Sequence, residues 1–286
     1  MVGLFGGPLA GLLLKMNGVG NLKGWQWLFL LEGIPSVLLG ILVFFVLPDK
    51  PSHVNWLSPE EKSWIASRLE GEAKNTHIVQ HLSFRTALTE RRILHMCLVF
   101  ILSSTAGNMI GFFGPQLLQM KSGGMWSASF ISTILVIPGI LGALAMVSAA
   151  GHSDRSGNRR MHILVGYSIA AVGFLACVYA PSAWGIVAAL SLNALGERIG
   201  AGSYWALTTN LLGARAAAGG IAMINSVGNL GGFIGPWVMG YLKKTSHGGY
   251  TAGLLMATAL MLLSAILGGL LRREPTHTES AEDKIS

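Results

Sequence analysis

Long apolar stretches separated by short polar segments dominate the chain. A helix needs about 20 mostly apolar residues to cross a bilayer. On this criterion, and from the polar residues between the stretches, we predict eight spans, the first of them short. They are Gly3–Leu14, Trp27–Leu47, Ile93–Gln119, Trp126–Ala150, His162–Ala180, Trp184–Leu211, Ala217–Leu242 and Tyr250–Leu271. The pattern predicts an all-α, multi-pass membrane protein.

Composition supports a bilayer as the main partner. Only 12% of the residues are charged and 51% are hydrophobic, whereas a soluble domain carries about 25% charged residues. The net charge of +7 lies in the segments between spans and not on a folded basic face, so we expect no nucleic-acid partner. Cys97 and Cys177 fall inside spans, where packing is the simplest interpretation. We predict no cofactor and no metal.

The distribution of lysine and arginine predicts the orientation in the membrane. Alternating spans place 48–92, 151–161, 212–216 and the tail 272–286 on one side, together with most of the basic residues. The other side carries Lys15, Lys23, Lys121, Lys243 and Lys244. By the positive-inside rule the first side is cytoplasmic. We therefore expect a protein of the cell (inner) membrane with a disordered cytoplasmic C-terminus.

The segment 48–92 is the longest polar connection, and one part of it predicts a helix. Ser58, Pro59 and Glu61 have the spacing of a capping box with proline at the first helical position. His77 and His81 are one turn apart and could together bind a metal. No third ligand accompanies them, so we favour a solvated loop.

The polar segment GHSDRSGNRR, residues 151–160, has the pattern G-x-x-D-R-x-G-x-R-R. Glycine permits tight turns, and the arginines mark the positively charged side of the membrane. We predict a tight, charged loop. A generic positive-inside loop explains the arginines alone, but the full spacing resembles the loop signature of the major facilitator superfamily. The motif positions are Gly151, Asp154, Arg155, Gly157, Arg159 and Arg160.

Four stretches narrow the resemblance. GWQWLFLLEGIPSVLLGILVFFVLPDKP (24–51), GFFGPQLLQ (111–119), YWAL (204–207) and INSVGNLGGFIGP (224–236) are similar to the anion:cation symporter branch, which includes sugar-acid, tartrate, phthalate and hydroxyphenylacetate permeases. The resemblance implies two six-helix bundles around a central site, worked by alternating access. It also implies symport of an organic carboxylate with a cation, usually a proton, by a monomer.

An internal repeat agrees with that construction. The glycines of G3-L-F-G6-G7 recur in G228-N-L-G231-G232, and at the same offset Gly24-Trp25 matches Gly249-Tyr250. Parallel six-helix repeats are typical of the superfamily. We therefore assign 1–47 to the end of the N-terminal bundle (helices 5 and 6), 48–92 to the inter-bundle loop, 93–271 to the C-terminal six-helix bundle and 272–286 to the tail.

On this assignment the chain lacks the first four helices of a twelve-helix transporter. Two hypotheses follow: an incomplete proton-coupled permease, or a non-transporting membrane remnant or regulatory fragment. An enzyme is not expected, because no zinc-binding histidine motif, nucleophile elbow or phosphate loop occurs.

Polar residues inside spans are the candidates for substrate contact, because they usually face the protein interior or a cavity. Asn225 and Asn229 lie one helical turn apart and share a face. In sugar-acid permeases of the resembled branch an aromatic residue of the tenth helix and an asparagine of the eleventh line the cavity. Trp205, beside Tyr204, and Asn225 match those motif positions. Asn229 has an equal alternative as a packing residue.

Two further groups complete the predicted site. Asn108, Phe112 and Gln116 form a stripe on one helix, which indicates either a cavity wall or a helix contact. Glu197 and Arg198 are charges inside a span, where unpaired charge is unfavourable. Arg198 could bind a substrate carboxylate and Glu197 could carry the coupling proton. Alternatively, both lie at the outer rim.

Overall fold

A computed structural model describes residues 9, 12–13, 15–48, 50–54, 56–75 and 90–271, with 71–75 and 213–218 described by their backbone alone. These residues are helical or irregular, and no strand occurs among them. The chain divides into two compact units, Met1–Ile78 and Val79–Ser286. The predicted first span lies almost wholly outside the described residues, as do His77, His81 and the tail.

The first unit contains two helices, α1 (Gly24–Val46) and α2 (Pro59–Asn75), with short 3-10 turns at Val19–Asn21 and Pro51–His53. Helix α1 corresponds to the predicted span Trp27–Leu47. The capping box that opens α2 is confirmed. The Ser58 amide donates to Glu61 Oε2 at 2.9 Å, and the Glu61 amide donates to Ser58 Oγ at 3.2 Å.

The second unit is a helical bundle. Its helices are α3 (Arg91–Lys121), α4 (Ala128–Ile134), α5 (Val136–Ser156), α6 (Arg159–Tyr179), α7 (Ala183–Asn229), α8 (Gly231–Thr245) and α9 (Thr251–Gly269). Helices α4 and α5 form one span interrupted at Leu135. The interruption fits Pro138, which has no N–H to donate to the carbonyl of Ile134.

Five helical segments of the described chain are long and apolar enough to cross a membrane. They are Gly24–Val46, Arg91–Lys121, Ala128–Ser156, Arg159–Tyr179 and Thr251–Gly269. Each coincides with a predicted span. The multi-pass, all-α interpretation is confirmed for this part of the chain.

Helix α7 contains the sixth predicted span and the start of the seventh, folded back on themselves. A straight helix would separate residues 205 and 228 by about 35 Å. Yet the Phe100 ring lies 5.1 Å from the Trp205 ring, and the same ring occupies the space where Gly228 would carry a Cβ. The chain must therefore reverse direction between these two residues.

One detail of the predicted spans was wrong here: residues 212–216, predicted as a loop, are helical. The predicted span Ala217–Leu242 is helical apart from a one-residue interruption at Leu230, which resembles the interruption at Leu135. Gly231 and Gly232 are weak helix formers, and Pro236 removes the hydrogen bond to the Gly232 carbonyl.

The predicted loop 151–160 was also wrong in extent. Helix α5 continues through Gly151 to Ser156, and α6 begins at Arg159, so the connection is two residues long. Gly157 has φ 62° and its amide donates to the Ser153 carbonyl at 3.0 Å. This left-handed position, which suits glycine, ends the helix.

Helices α6 and α7 meet backbone to backbone in the core. A Cβ on Gly166 would lie 2.8 Å from the Gly196 carbonyl oxygen, so only glycine fits there. Nearby, buried Asn193 donates its amide N–H to the Ala170 carbonyl at 3.0 Å. An interhelical hydrogen bond of this kind also stabilises helix pairs in lipid.

The bundle has two polar ends. At the lysine end, which carries Lys121, Lys243 and Lys244, Lys121 Nζ donates to the Ala180 carbonyl at 2.8 Å. At the arginine end, which carries Arg91, Arg92, Arg155, Arg159 and Arg160, His95 Nε2 lies 3.0 Å from the Leu267 carbonyl oxygen.

Candidate functional site

An aromatic cluster joins α3 to the first half of α7. The Tyr204 ring stacks on Phe100 with centroids 5.8 Å apart, and the Trp205 ring meets Phe100 edge-on at 5.1 Å. Tyr204 is fully buried and its hydroxyl donates to the Met96 carbonyl at 2.8 Å. Trp205 is half-buried. Of the two predicted aromatic residues, Trp205 is therefore the one that reaches the surface of this unit.

Asn225 and Asn229 lie beside that cluster on the second half of α7. Gly228, between them in the chain, packs directly against Phe100. Asn225 is half-buried and Asn229 is exposed. Among the described residues neither amide has a hydrogen-bond partner. The structure thus brings Trp205 and Gly228 together on Phe100, and Asn225 and Asn229 belong to the same turn of α7 as Gly228.

Asn108 belongs to the same region of α3. Its amide nitrogen donates to the Ser104 carbonyl at 2.8 Å and approaches Ser104 Oγ at 3.3 Å. A Cβ on Gly232 would lie 3.9 Å from the Asn108 amide oxygen, so Asn108 faces the start of α8. Phe112 is 63% exposed. This half of the predicted stripe combines a helix contact with an exposed surface.

Gln116, the third residue of the stripe, lies at the lysine end and not with the asparagines. Its amide oxygen accepts hydrogen bonds from Lys243 Nζ at 3.1 Å and from the Tyr250 hydroxyl at 3.2 Å. It also lines a cavity of about 490 Å³. The residues of the predicted stripe therefore lie in two different regions: Asn108 faces the start of α8, and Gln116 lies at the lysine end.

Glu197 and Arg198 point toward different helices, as neighbouring residues on a helix must. The Glu197 carboxylate faces α3, where a Cβ on Gly107 would lie 3.3 Å from Oε1. The exposed Arg198 lies with its stem against Gly142 of α5. Within the described residues neither side chain forms an ion pair. The pair is not at the tip of its helix, because α7 begins at Ala183.

The motif residues form a compact polar group at the arginine end. Arg159 Nη2 binds Asp154 Oδ1 at 2.9 Å, which joins the end of α5 to the start of α6. His152 Nδ1 lies 2.8 Å from His162 Nε2 across the same junction. Arg155 is exposed, whereas Arg160 is half-buried. Asp154 and Arg159 thus bind the two helices together across the Gly157 turn.

Sequence reasoning missed the polar network of Lys243 and Tyr250. Lys243 Nζ donates to the Tyr250 hydroxyl at 2.6 Å and lies 4.5 Å from the centre of that ring. The available signal was a lysine in the last turn of one span, seven residues before a tyrosine that opens the next. From the sequence, Lys243 indicates only the orientation of the protein in the membrane.

This chain is similar in sequence to known proteins. The Major Facilitator Superfamily profile matches residues 96–285. A putative tartrate transporter of Agrobacterium vitis is 37% identical over 94% of this chain and 59% of its own length. A quinolone resistance transporter of Acinetobacter baumannii is 35% identical over 99% of this chain and 65% of its own length.

A third relative is more distant. The inner membrane transport protein RhmT of Escherichia coli is 30% identical over 96% of this chain and 63% of its own length. The chain spans roughly three fifths of the curated relatives it matches.

Proposed function

Because the chain belongs to the major facilitator superfamily, we propose that it is part of a secondary active transporter for an organic carboxylate, coupled to protons and worked by alternating access. Its relatives are named as transporters, and a tartrate transporter is among them. Membership of this family supports a role as a transporter and not as an enzyme.

The observation that carries the proposal is the uncommitted amide pair of Asn225 and Asn229 beside Trp205. A polar side chain within the bilayer normally finds a partner in its own bundle. An asparagine amide can donate to a carboxylate and accept from a hydroxyl, which suits a hydroxylated acid. The half-buried Trp205 ring offers an apolar face to the carbon skeleton of the same ligand, and Asn108 borders this group on α3.

Charge recognition in this proposal falls to Arg198. Its guanidinium forms two parallel hydrogen bonds with a carboxylate more readily than any other side chain. It stands exposed on α7, and the neighbouring Glu197 acts on it through space without a direct ion pair, so a bound carboxylate supplies that pair. Tyr204 acts indirectly, by fixing the ring of Phe100 on which Trp205 and Gly228 pack.

Glu197 is the proposed proton carrier. It is half-buried, with its carboxylate facing Gly107 of α3, and it interacts electrostatically with the neighbouring Arg198 without a direct ion pair. Proton binding removes a charge from the interior and favours the state in which the bundle closes around it. Asp154 and Arg159 hold the ends of α5 and α6 together during that change.

Uptake by cells that produce the whole transporter to which this chain belongs tests the proposal. We expect accumulation of labelled tartrate or a related hydroxy acid, abolished by a protonophore. Asn225→Ala should reduce uptake about tenfold at equal membrane abundance, because one charge-assisted hydrogen bond is lost. Ser226→Ala, on the neighbouring face, is the matched control.

Two results would contradict the proposal. If the Asn225→Ala variant takes up the acid at the wild-type rate, the assignment of Asn225 to the substrate site is wrong. No accumulation of any organic acid above cells without that transporter favours the alternative, a non-transporting membrane protein.

A further inference from the structure

The cavity at the lysine end is separate from the asparagine region and carries its own chemistry. Its volume of about 490 Å³ falls in the range of small-molecule sites. Apolar side chains of α3 and α4, including Ile131 and Met120, form part of its wall. Polar groups converge from α3, α8 and the start of α9: Gln116, Gln119, Lys243 and Tyr250.

Lys243 is held in place and not free to sweep the surface. Its ammonium donates to the Tyr250 hydroxyl at 2.6 Å and to Gln116 Oε1 at 3.1 Å, and it lies 5.8 Å from the centre of the Phe113 ring. Tyr250 is itself only 5% exposed. Cation–π contacts with two rings and two hydrogen bonds fix the charge at the cavity wall.

The network leaves donors, not acceptors, for a ligand. Lys243 has three N–H donors and uses two of them. The Gln116 oxygen accepts from both Lys243 and Tyr250, so its NH2 group remains to donate. A ligand that accepts several hydrogen bonds and carries negative charge matches this arrangement, and a carboxylate has both properties.

No acid of the protein meets this need in the described second unit. Residues 90–271 contain three acidic side chains, Glu90, Asp154 and Glu197. The first two lie at the arginine end and the third lies midway along the bundle. The lysine end therefore has uncompensated positive charge, which raises the local concentration of anions.

The geometry points to a second carboxylate-binding site at the lysine end, formed by Lys243, Gln116 and Tyr250, which holds the organic anion before or after it occupies the asparagine region. The site rests on the proposed function for the identity of its ligand. Binding at this site does not depend on transport, because the network and the cavity both lie within the second unit.

Amine acylation of the purified full chain tests the site directly. A water-soluble acyl ester modifies lysines, and mass spectrometry reports the rate at each. We expect tartrate to slow modification of Lys243 at least threefold while Lys244, its exposed neighbour, reacts at an unchanged rate. Chloride at equal ionic strength should protect neither. Equal protection of both lysines, or of neither, overturns the site.

Nanodiscs of defined lipid separate the carboxylate from a lipid headgroup. In phosphatidylcholine, tartrate should protect Lys243 as it does in detergent. If phosphatidylglycerol alone protects Lys243 and added tartrate changes nothing, the position is a headgroup contact and the proposal fails. Tyr250→Phe keeps the ring but removes the hydroxyl that orients the ammonium, so about tenfold more tartrate should be needed for the same protection.

Uptake by the variants distinguishes this inference from the proposed function. Lys243→Gln should raise the KM for uptake and leave the maximal rate unchanged, with Lys244→Gln as the control. Protection of Lys243 without uptake by the chain overturns the proposed function and keeps the site. Uptake with an unchanged KM in Lys243→Gln and no protection overturns the site and keeps the function.

Discussion

Tyr204 and Trp205 are adjacent in the chain, yet the fold gives them different roles. The motif YWAL indicated that both could face a substrate. Neighbouring helix positions point about 100° apart, and Tyr204 turns into the core while Trp205 remains half-buried. Which of the two lies inside depends on Phe100, about a hundred residues away, so the sequence motif alone could not decide it.

The Tyr204 hydroxyl supplies a prediction at this scale. Tyr204→Phe should lower the free energy of unfolding by about 1 kcal/mol, because the hydrogen bond to the Met96 carbonyl is lost from a dry interior. In detergent this corresponds to a melting temperature lower by about 2–4 °C. Tyr241→Phe, at a side chain that is 60% exposed, should leave it unchanged. Equal effects of the two substitutions would contradict a structural role for the Tyr204 hydroxyl.

At the level of helices, periodicity and capping chemistry predicted most of what is seen. The Ser58–Glu61 capping box and the spans around α1, α3, α6 and α9 depend on local sequence, and they were found. The ends of α5 and the course of α7 depend on tertiary packing as well as on local sequence. Gly151 and Gly157 both looked able to form the turn, but only Gly157 adopts positive φ. The helix likewise continues through 212–216, where the polar pattern predicted a loop.

The contact between α6 and α7 gives the element-scale prediction. Gly196→Ala places a Cβ against the backbone of Ala170, so the two helices must separate along their whole contact. We expect loss of monodisperse protein in gel filtration, or a melting temperature lower by about 5 °C or more. Gly139→Ala is the matched control, since no atom lies within 4 Å of its Cβ position. Similar behaviour of the two variants would contradict the close approach.

Charge placement along the molecule could be predicted from sequence, but the network built from those charges could not. Apart from Arg198, which lies midway along the bundle, the lysines and arginines with described side chains separate to opposite ends of the second unit, as the span count required. The site at the lysine end needs contacts between residues far apart in the chain: Lys243 and Tyr250 both bind Gln116 of α3. Local patterns carry no information on such a pairing, so Gln116 was grouped with Asn108 by its helical spacing alone.

Orientation in the membrane is the prediction at this scale. Lys244→Cys should react with a membrane-impermeant maleimide in intact cells, because the positive-inside rule predicts that the lysine end faces outward. Asn158→Cys, at the arginine end, should react only after permeabilisation. The native Cys97 and Cys177 are buried and provide an unlabelled background. The reverse labelling pattern would invert the topology and place the C-terminus outside.

The two-residue connection at Gly157 and Asn158 has a mechanical consequence. Two residues span at most about 7 Å, so this connection cannot lengthen when either helix moves. A tilt of α5 must pull the first turn of α6 with it, and the Gly166–Gly196 contact passes that movement to α7. The movements of α5, α6 and α7 are therefore coupled. A flexible insertion after Gly157 would uncouple them, so that α5 could tilt without moving α6.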